Sequence, residues 1–154
     1  MEIADLLKPD HVVARLKATS KKQALQDLAR HAAPITGQTE RAIFDVLMER
    51  ERLGTTGVGN GIAIPHGKLG SFDRLYGLFA RLENPIDFDS IDDRPVDLIF
   101  LLLAPESAGA DHLKALARVS RLLRDKTACE KLRGTEDAEA LYALLVDTTA
   151  NRAA

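Results

Sequence analysis

The chain has 154 residues, of which 45% are hydrophobic and 29% are charged, and its formal net charge is −2. This length and composition predict one soluble globular domain, residues 1–154, with a core covered on two sides. Because the chain is slightly acidic and has no block of lysine and arginine, we expect neither nucleic acid nor an anionic membrane surface to be its partner.

Nothing in the sequence predicts a membrane span or a metal site. The longest apolar run, Leu98 to Ala104, is far too short to cross a bilayer, and no basic segment followed by an apolar run opens the chain. We therefore expect a cytoplasmic protein without membrane insertion. The single cysteine, Cys129, has no disulfide partner and no zinc-ligand spacing, so we predict a small core residue and no bound metal.

Helix and strand signals follow one another in mixed order along the chain. The predicted strands are His11 to Leu16, Ile62 to Ile64, Leu75 to Leu82 and Val96 to Leu103. The predicted helices run from the cap Ser20 to an end at Pro34 and Gly37, from the cap Thr39 to about Leu53, and over Ala110 to Arg124, Lys126 to Leu132 and Glu136 to Thr148. Because the strand at Val96 is apolar throughout, we predict an α/β fold with a mixed sheet flanked by helices on both faces.

Residues 54–68 contain five glycines, a short apolar strand and one histidine held between Pro65 and Gly67. Pro65 fixes its own φ and keeps Ile64 extended, and Gly67 lets another part of the backbone approach closely. An imidazole with a pKa of about 6.5 is mostly neutral at pH 7 and is a nucleophile without an activating base. These features favour His66 as a residue that receives a group from another macromolecule. The alternative is a solvated turn residue after an edge strand.

The spacing of this segment fits a longer pattern. The pattern is an acidic or amide residue, six arbitrary positions, an aliphatic, a small residue, two arbitrary positions, then aliphatic-Ala-aliphatic-Pro-His-small. It falls without a gap on Glu51, Val58, Gly59, Ile62, Ala63, Ile64, Pro65, His66 and Gly67. The segment thereby resembles the active site of the enzyme IIA proteins of the bacterial phosphoenolpyruvate-dependent phosphotransferase system, in the fructose, mannitol and nitrogen-regulatory branch. The resemblance extends from Ile3 through Gly109 to Leu113 and on to the last helix.

The resemblance implies a phosphotransferase component. His66 would accept a phosphoryl group from an HPr-like phosphocarrier, with Arg50 as a phosphate contact and His112 as a second active-centre histidine that orients or stabilises. No metal or organic cofactor is implied.

The residues themselves leave alternatives for Arg50. This arginine continues the apolar stripe of its helix, whereas Glu49, Glu51 and Arg52 fall on other faces and are predicted to be solvated. Arg50 therefore emerges beside the loop before His66, where a guanidinium can grip an oxyanion. Alternatively it pairs with Glu51 or Asp45.

His112 lies in the first turn of its helix, where the positive helix end attracts anions. The alternative is that His112 only makes hydrogen bonds to nearby groups of its own helix turn. A zinc site built from His66 and His112 lacks a third ligand at any familiar spacing.

The glycine-rich loop offers further donors. Thr55, Thr56 and the backbone N–H groups of Gly57, Gly59 and Gly61 could bind a phosphoryl group, or the loop could be a flexible connector. It matches neither a dinucleotide-binding turn nor a P-loop.

The opening segment and residues 62–68 look most like the nitrogen-regulatory branch. We therefore expect a regulatory phosphoprotein that is served by a nitrogen-branch carrier and acts on targets such as transporters or sensor kinases. The alternatives are a sugar-specific IIA component that passes phosphate to a transporter IIB domain, and a binding module whose histidine is never phosphorylated.

Overall fold

Residues 1–147, the part of the chain that this computed structural model describes, form six α-helices and one six-stranded sheet. The helices are α1 (Ile3–Leu6), α2 (Lys21–Thr36), α3 (Glu40–Arg52), α4 (Ala110–Arg124), α5 (Lys126–Arg133) and α6 (Ala138–Val146). The strands are β1 (Val12–Leu16), β2 (Gly57–Gly59), β3 (Ile62–Ala63), β4 (His66–Lys68), β5 (Tyr76–Ile86) and β6 (Val96–Ala104). Among these helices none is long and apolar enough to cross a membrane.

The sheet is built around β6. Strand β5 lies antiparallel to β6 on one side, and β1 lies parallel to β5 beyond it. On the other side, β3 and β4 lie one after the other along β6, both parallel to it, and β2 pairs antiparallel with β3. The sheet is therefore mixed.

Alternate residues of β6 serve two cores. Leu98, Phe100 and Leu102 pack with residues of α1, α4, α5 and α6. Ile99 and Leu101 pack with α2 and α3 on the opposite face. Burial on both faces explains the apolar run of this strand, and the predicted α/β fold with helices on both sides of a mixed sheet is confirmed.

The predicted element boundaries differ from the structure in a few places. Pro34 lies inside α2, because it removes only one hydrogen bond near the helix end, and the helix stops instead at Gly37, whose φ is 75°. Strand β5 continues to Ile86, four residues beyond the predicted end. The predicted end of the last helix, Thr148, lies outside the described residues.

The interruption between β3 and β4 positions His66. Pro65 has no N–H to give to the ladder, but its carbonyl accepts a hydrogen bond from Leu102 N at 3.0 Å. The ladder resumes at once, with His66 opposite Leu102. His66 is thus the first residue of a short strand whose backbone is fixed against the central strand.

Candidate functional site

The imidazole of His66 is held at both ring nitrogens. Its Nδ1 lies 2.9 Å from the carbonyl oxygen of Ile64, and its Nε2 lies 3.3 Å from Nε of Arg50. A carbonyl can only accept and a guanidinium can only donate, so the proton sits on Nδ1 and the lone pair on Nε2. The ring therefore presents Nε2 as its nucleophilic atom.

Arg50 contacts His66 from the last turn of α3. Its Nη1 donates to the carbonyl oxygen of Gly54 at 2.9 Å, which fixes the guanidinium beside the imidazole. Neither proposed ion-pair partner is available, since Asp45 pairs with Arg41 at 3.2 Å and Glu51 is held elsewhere. The structure thus brings Arg50 to His66, and the ion-pair alternative is wrong.

His112 lies next to His66 on the side of α4. The two ring centroids are 5.6 Å apart with an interplanar angle of 67°, and His112 is 8% exposed. Its Nε2 is buried and has no hydrogen-bond partner among the residues described. The local hydrogen bonding considered as an alternative is not found at this atom.

Both histidines are poised in the neutral form. Burial is the main cause that lowers the pKa of His66, and the charge of Arg50 acts in the same direction against the opposing bond to Ile64. Burial also lowers the pKa of His112, and the charges of His66 and Lys68 act in the same direction.

Lys68 is an exposed cation two residues beyond His66, on the same side of β4. Lys68 was not among the predicted site residues, although its two-residue spacing from His66 was a usable signal.

Glu51 was predicted to be solvated, and that prediction is wrong. Its side chain is only 5% exposed and pairs with Nζ of Lys21 at 3.0 Å. Its carboxylate also accepts hydrogen bonds from the backbone N (3.0 Å) and the hydroxyl (2.5 Å) of Thr56. These contacts fold the loop back onto the end of α3. The acidic position of the family pattern was the signal for this role.

The donors of the glycine-rich loop are occupied inside the protein. The hydroxyl of Thr55 donates to the carbonyl of Phe88 at 2.9 Å and accepts from Gly57 N at 3.0 Å. Thr56 is committed to Glu51. A phosphate-binding role for Thr55, Thr56 and Gly57 therefore has no support in the geometry.

Gly59 and Gly61 have backbone conformations that favour glycine. Their φ angles are 104° and 79°, which favour glycine, and the space beside them is filled by Asp92 and by Arg133 with Asp97. Both glycines shape a turn, and the contacts of their N–H groups with phosphate stay a prediction.

The group that approaches Gly67 closely is the side chain of Val46, and not another part of the backbone as predicted. A Cβ placed on Gly67 would overlap Cγ1 of Val46, a residue of α3 one helical turn before Arg50. The missing side chain at Gly67 lets α3 pack directly on β4, and this packing sets the distance between Arg50 and His66.

Acid should destabilise the protein through its buried histidines. Burial lowers the pKa of His11, His66 and His112 in the folded chain, whereas each has its ordinary value of about 6.5 when unfolded. The unfolded chain then binds more protons, so the stabilisation is complete above about pH 6.5 and is lost as the pH falls through the folded-state values.

We expect the free energy of unfolding, measured by urea titration, to decrease as the pH is lowered from about 7 to about 5.5. The double variant His66→Gln/His112→Gln should show a flatter profile over that range. A wild-type stability that is constant or rises with acidification would contradict these pKa directions.

Comparison with known proteins defines the class. Residues 5–147 match the sequence model of the family described as "Phosphoenolpyruvate-dependent sugar phosphotransferase system, EIIA 2". The chain belongs to this family, as the pattern over residues 51–67 predicted. Within residues 1–147, no group of three or more His, Cys, Asp and Glu side chains is arranged to hold a metal ion.

Individual members of the family are similar to this chain over most of its length. A nitrogen regulatory protein of Bradyrhizobium diazoefficiens is 62% identical over 145 residues, which cover 94% of this chain and 95% of that protein. The crystal structure of nitrogen regulatory protein IIA-Ntr from Neisseria meningitidis superposes with a TM-score of 0.87 at 34% identity, over 93% of this chain and 98% of that one. A fructose-specific EIIA component of Haloferax volcanii is 40% identical over 123 residues, covering 80% of this chain and 79% of that protein.

Proposed function

We propose that the chain is a regulatory phosphoprotein that accepts a phosphoryl group on Nε2 of His66. The donor is an HPr-like phosphocarrier of the nitrogen branch, and the two phosphorylation states act differently on target proteins. The observation that carries the proposal is the placement of a neutral His66, its Nδ1 held by Ile64 and its Nε2 directed at Arg50. We extend the matched family domain to all of residues 1–154 and place the protein in the cytoplasm, where a soluble carrier can reach it.

The transfer step needs alignment and charge more than covalent help. The lone pair of Nε2 attacks phosphorus, a P–N bond forms, and the P–N bond to the carrier's phosphohistidine breaks, returning its electron pair to the carrier's ring. The Ile64 carbonyl stabilises the positive charge that grows on the ring of His66. As Nε2 bonds to phosphorus, Nε–H of Arg50 loses its acceptor and turns to a phosphoryl oxygen.

His112 fits the role of a phosphoryl-stabilising neighbour and not of the acceptor. Its Nε2 is buried, so a phosphoryl group carried by another protein cannot reach it without displacement of the surroundings. A proton on this atom would donate to a phosphoryl oxygen on the adjacent His66, which satisfies a buried group that is otherwise unpaired.

The surface around the site suits a protein donor. Two of the five large hydrophobic side chains exposed in residues 1–147 directly follow elements of the site: Leu53 (81% exposed) and Leu113 (70%). Leu53 follows the helix of Arg50, and Leu113 follows His112. Exposed apolar residues next to these elements favour docking of a carrier.

Arg50→Lys should slow transfer to His66 by roughly tenfold to a hundredfold with little change in stability. A lysine amine cannot hold the Gly54 carbonyl and face His66 with a second donor at the same time. Single-turnover transfer from the phosphorylated carrier measures the effect. Arg52→Lys, an exposed position of the same helix turn, is the matched control and should transfer normally. Equal rates for Arg50→Lys and wild type would remove Arg50 from the site.

His112→Ala should still be labelled at His66, but more slowly and with a shorter-lived phosphohistidine. His112→Gln keeps an N–H donor and should recover part of the lifetime. Peptide mapping and the decay of label at neutral pH test both statements. Phosphate found on His112 of the wild-type protein would reverse the assigned roles.

The nitrogen-regulatory role is favoured over the sugar-specific one because the relative with 62% identity over most of the chain bears that name. Phosphorylation adds about 1.5 to 2 negative charges, which a docked target has to desolvate. Targets such as transporters or sensor kinases should then bind the two forms with affinities that differ by roughly 1 to 3 kcal/mol.

A comparison of acceptors and targets tests this proposal. Phosphoenolpyruvate, the first enzyme and a nitrogen-branch carrier should increase the intact mass by one phosphoryl group. Proteins retained by immobilised wild-type and His66→Ala forms are then titrated with unmodified and phosphorylated protein. No mass increase favours a binding module. Equal affinities for every target, with efficient transfer to a sugar-specific IIB domain, favour the sugar transport alternative.

A further inference from the structure

Arg50, His66 and His112 do not line a second groove, which comes within two residues of His66 at Ile64. It has a volume of about 540 Å³ and is bounded by the β2 and β3 segments on one side and by α4 and α5 on the other. Apolar side chains form part of its wall: Val58, Ile62, Ile64, Leu123 and the thiol-bearing Cys129. The volume lies in the range of sites that enclose small molecules, roughly 300 to 1,000 Å³.

The rim of this groove is basic although the whole chain is acidic. Four cations line it, Arg94, Arg124, Lys126 and Arg133, against one carboxylate, Glu130. Arg124 and Lys126 are exposed and form no ion pair within residues 1–147. An uncompensated pair of cations beside an apolar wall favours a ligand with a negative group and an apolar body.

Arg133 is held in place at the groove. Its Nε lies 3.0 and 2.9 Å from the two carboxylate oxygens of Asp97, and its Nη2 donates to the carbonyl of Asn60 at 2.6 Å. These bonds join α5 to the turn between β2 and β3, so one wall of the groove is fixed before any ligand binds. A preformed wall lowers the ordering cost of binding.

We propose that this groove binds a small organic anion, a carboxylate or a phosphate on an apolar body of about the size of an octyl chain. Arg124 and Lys126 bind the anionic group, and Val58, Ile62 and Leu123 contact the apolar body. The site uses none of Arg50, His66 and His112, the side chains proposed to take part in phosphoryl transfer.

Binding of octanoate and octyl phosphate, competed against the fluorescent probe 8-anilinonaphthalene-1-sulfonate, tests the site in the full chain. The probe should bind at one saturable site and be displaced by at least one of the two anions, and the stronger competitor identifies the anionic group. Arg124→Glu/Lys126→Glu should weaken binding by roughly tenfold or more, because charged contacts are lost. The matched control Arg121→Glu/Lys131→Glu alters the same two helices by the same charge outside the groove and should bind like wild type.

Cys129 gives a second readout that needs no variant. It is the single thiol of the chain and is 3% exposed at the groove. A bound anion should slow its modification by a thiol reagent. The proposal is overturned if the probe binds without saturation, if the groove variant binds as tightly as its control, or if saturating anion leaves the thiol rate unchanged. None of these results depends on phosphorylation of His66.

Discussion

Replacing His66 by alanine should abolish carrier-dependent phosphorylation and leave the fold intact. The half-buried ring contributes two hydrogen bonds, to Ile64 and Arg50, and its loss leaves the strand pairing of β4 with β6 in place. The adjacent His112 offers no accessible acceptor at its Nε2, which is buried. Acid-labile, base-stable label and intact mass measure phosphorylation, and circular dichroism measures the fold.

The exposed His31 provides a matched control for that result. It lies on α2 and shares a side-chain hydrogen bond with none of the residues described. His31→Ala should therefore be labelled to the wild-type extent. If a folded His66→Ala protein is labelled as strongly as wild type, His66 is not the acceptor.

Gly67→Ala should impair both stability and transfer. Its new Cβ overlaps Cγ1 of Val46, so the Val46 side chain or α3 itself has to shift, and a shift of α3 moves Arg50 relative to His66. Overpacking of this kind costs about 1 to 3 kcal/mol. Urea unfolding and single-turnover transfer at saturating carrier measure the two effects.

A second substitution tests the cause. Val46→Ala removes the overlapping methyl group, so the double variant should transfer faster than Gly67→Ala alone. Gly134→Ala is the control, because its nearest neighbour would lie 3.5 Å away in ordinary contact. If Gly67→Ala transfers like wild type, the packing of α3 on β4 does not control the site.

Local sequence signals were sufficient for most of the fold. Caps at Ser20 and Thr39 mark helix starts with side-chain oxygens that accept from the backbone, at 3.1 Å in both cases. The apolar run of β6 reflects burial on two faces. What these signals could not give is the pairing of β3 and β4 with one strand, because that depends on contacts between segments some 36 residues apart.

The part of the site that could be predicted is the part that depends on residues adjacent in the sequence. Pro65 and Gly67 flank His66 in the sequence, and their roles follow from backbone geometry. Glu51 was misplaced because helical spacing treats it as an outward residue, whereas the loop after α3 folds back to cover it with Thr56 and Lys21.

The role of the glycine-rich loop could not be predicted from its composition. Glycine-rich composition fits both a phosphate cradle and a tightly turned connector. The difference lies in where the donors point, and here their acceptors include Phe88 and Asp92, more than 30 residues away in the chain. The tautomer of His66 likewise depends on distances that no spacing rule supplies.

The most direct test of the account is the identity of the phosphorylated nitrogen. Protein labelled with nitrogen-15 in its histidines is phosphorylated through the carrier, and NMR detects which ring nitrogen couples to phosphorus. Phosphate on Nε2 of His66, with the Nδ1 proton still protected by its bond to Ile64, is the predicted result. Phosphate on Nδ1 of His66, or on any other residue, would contradict it.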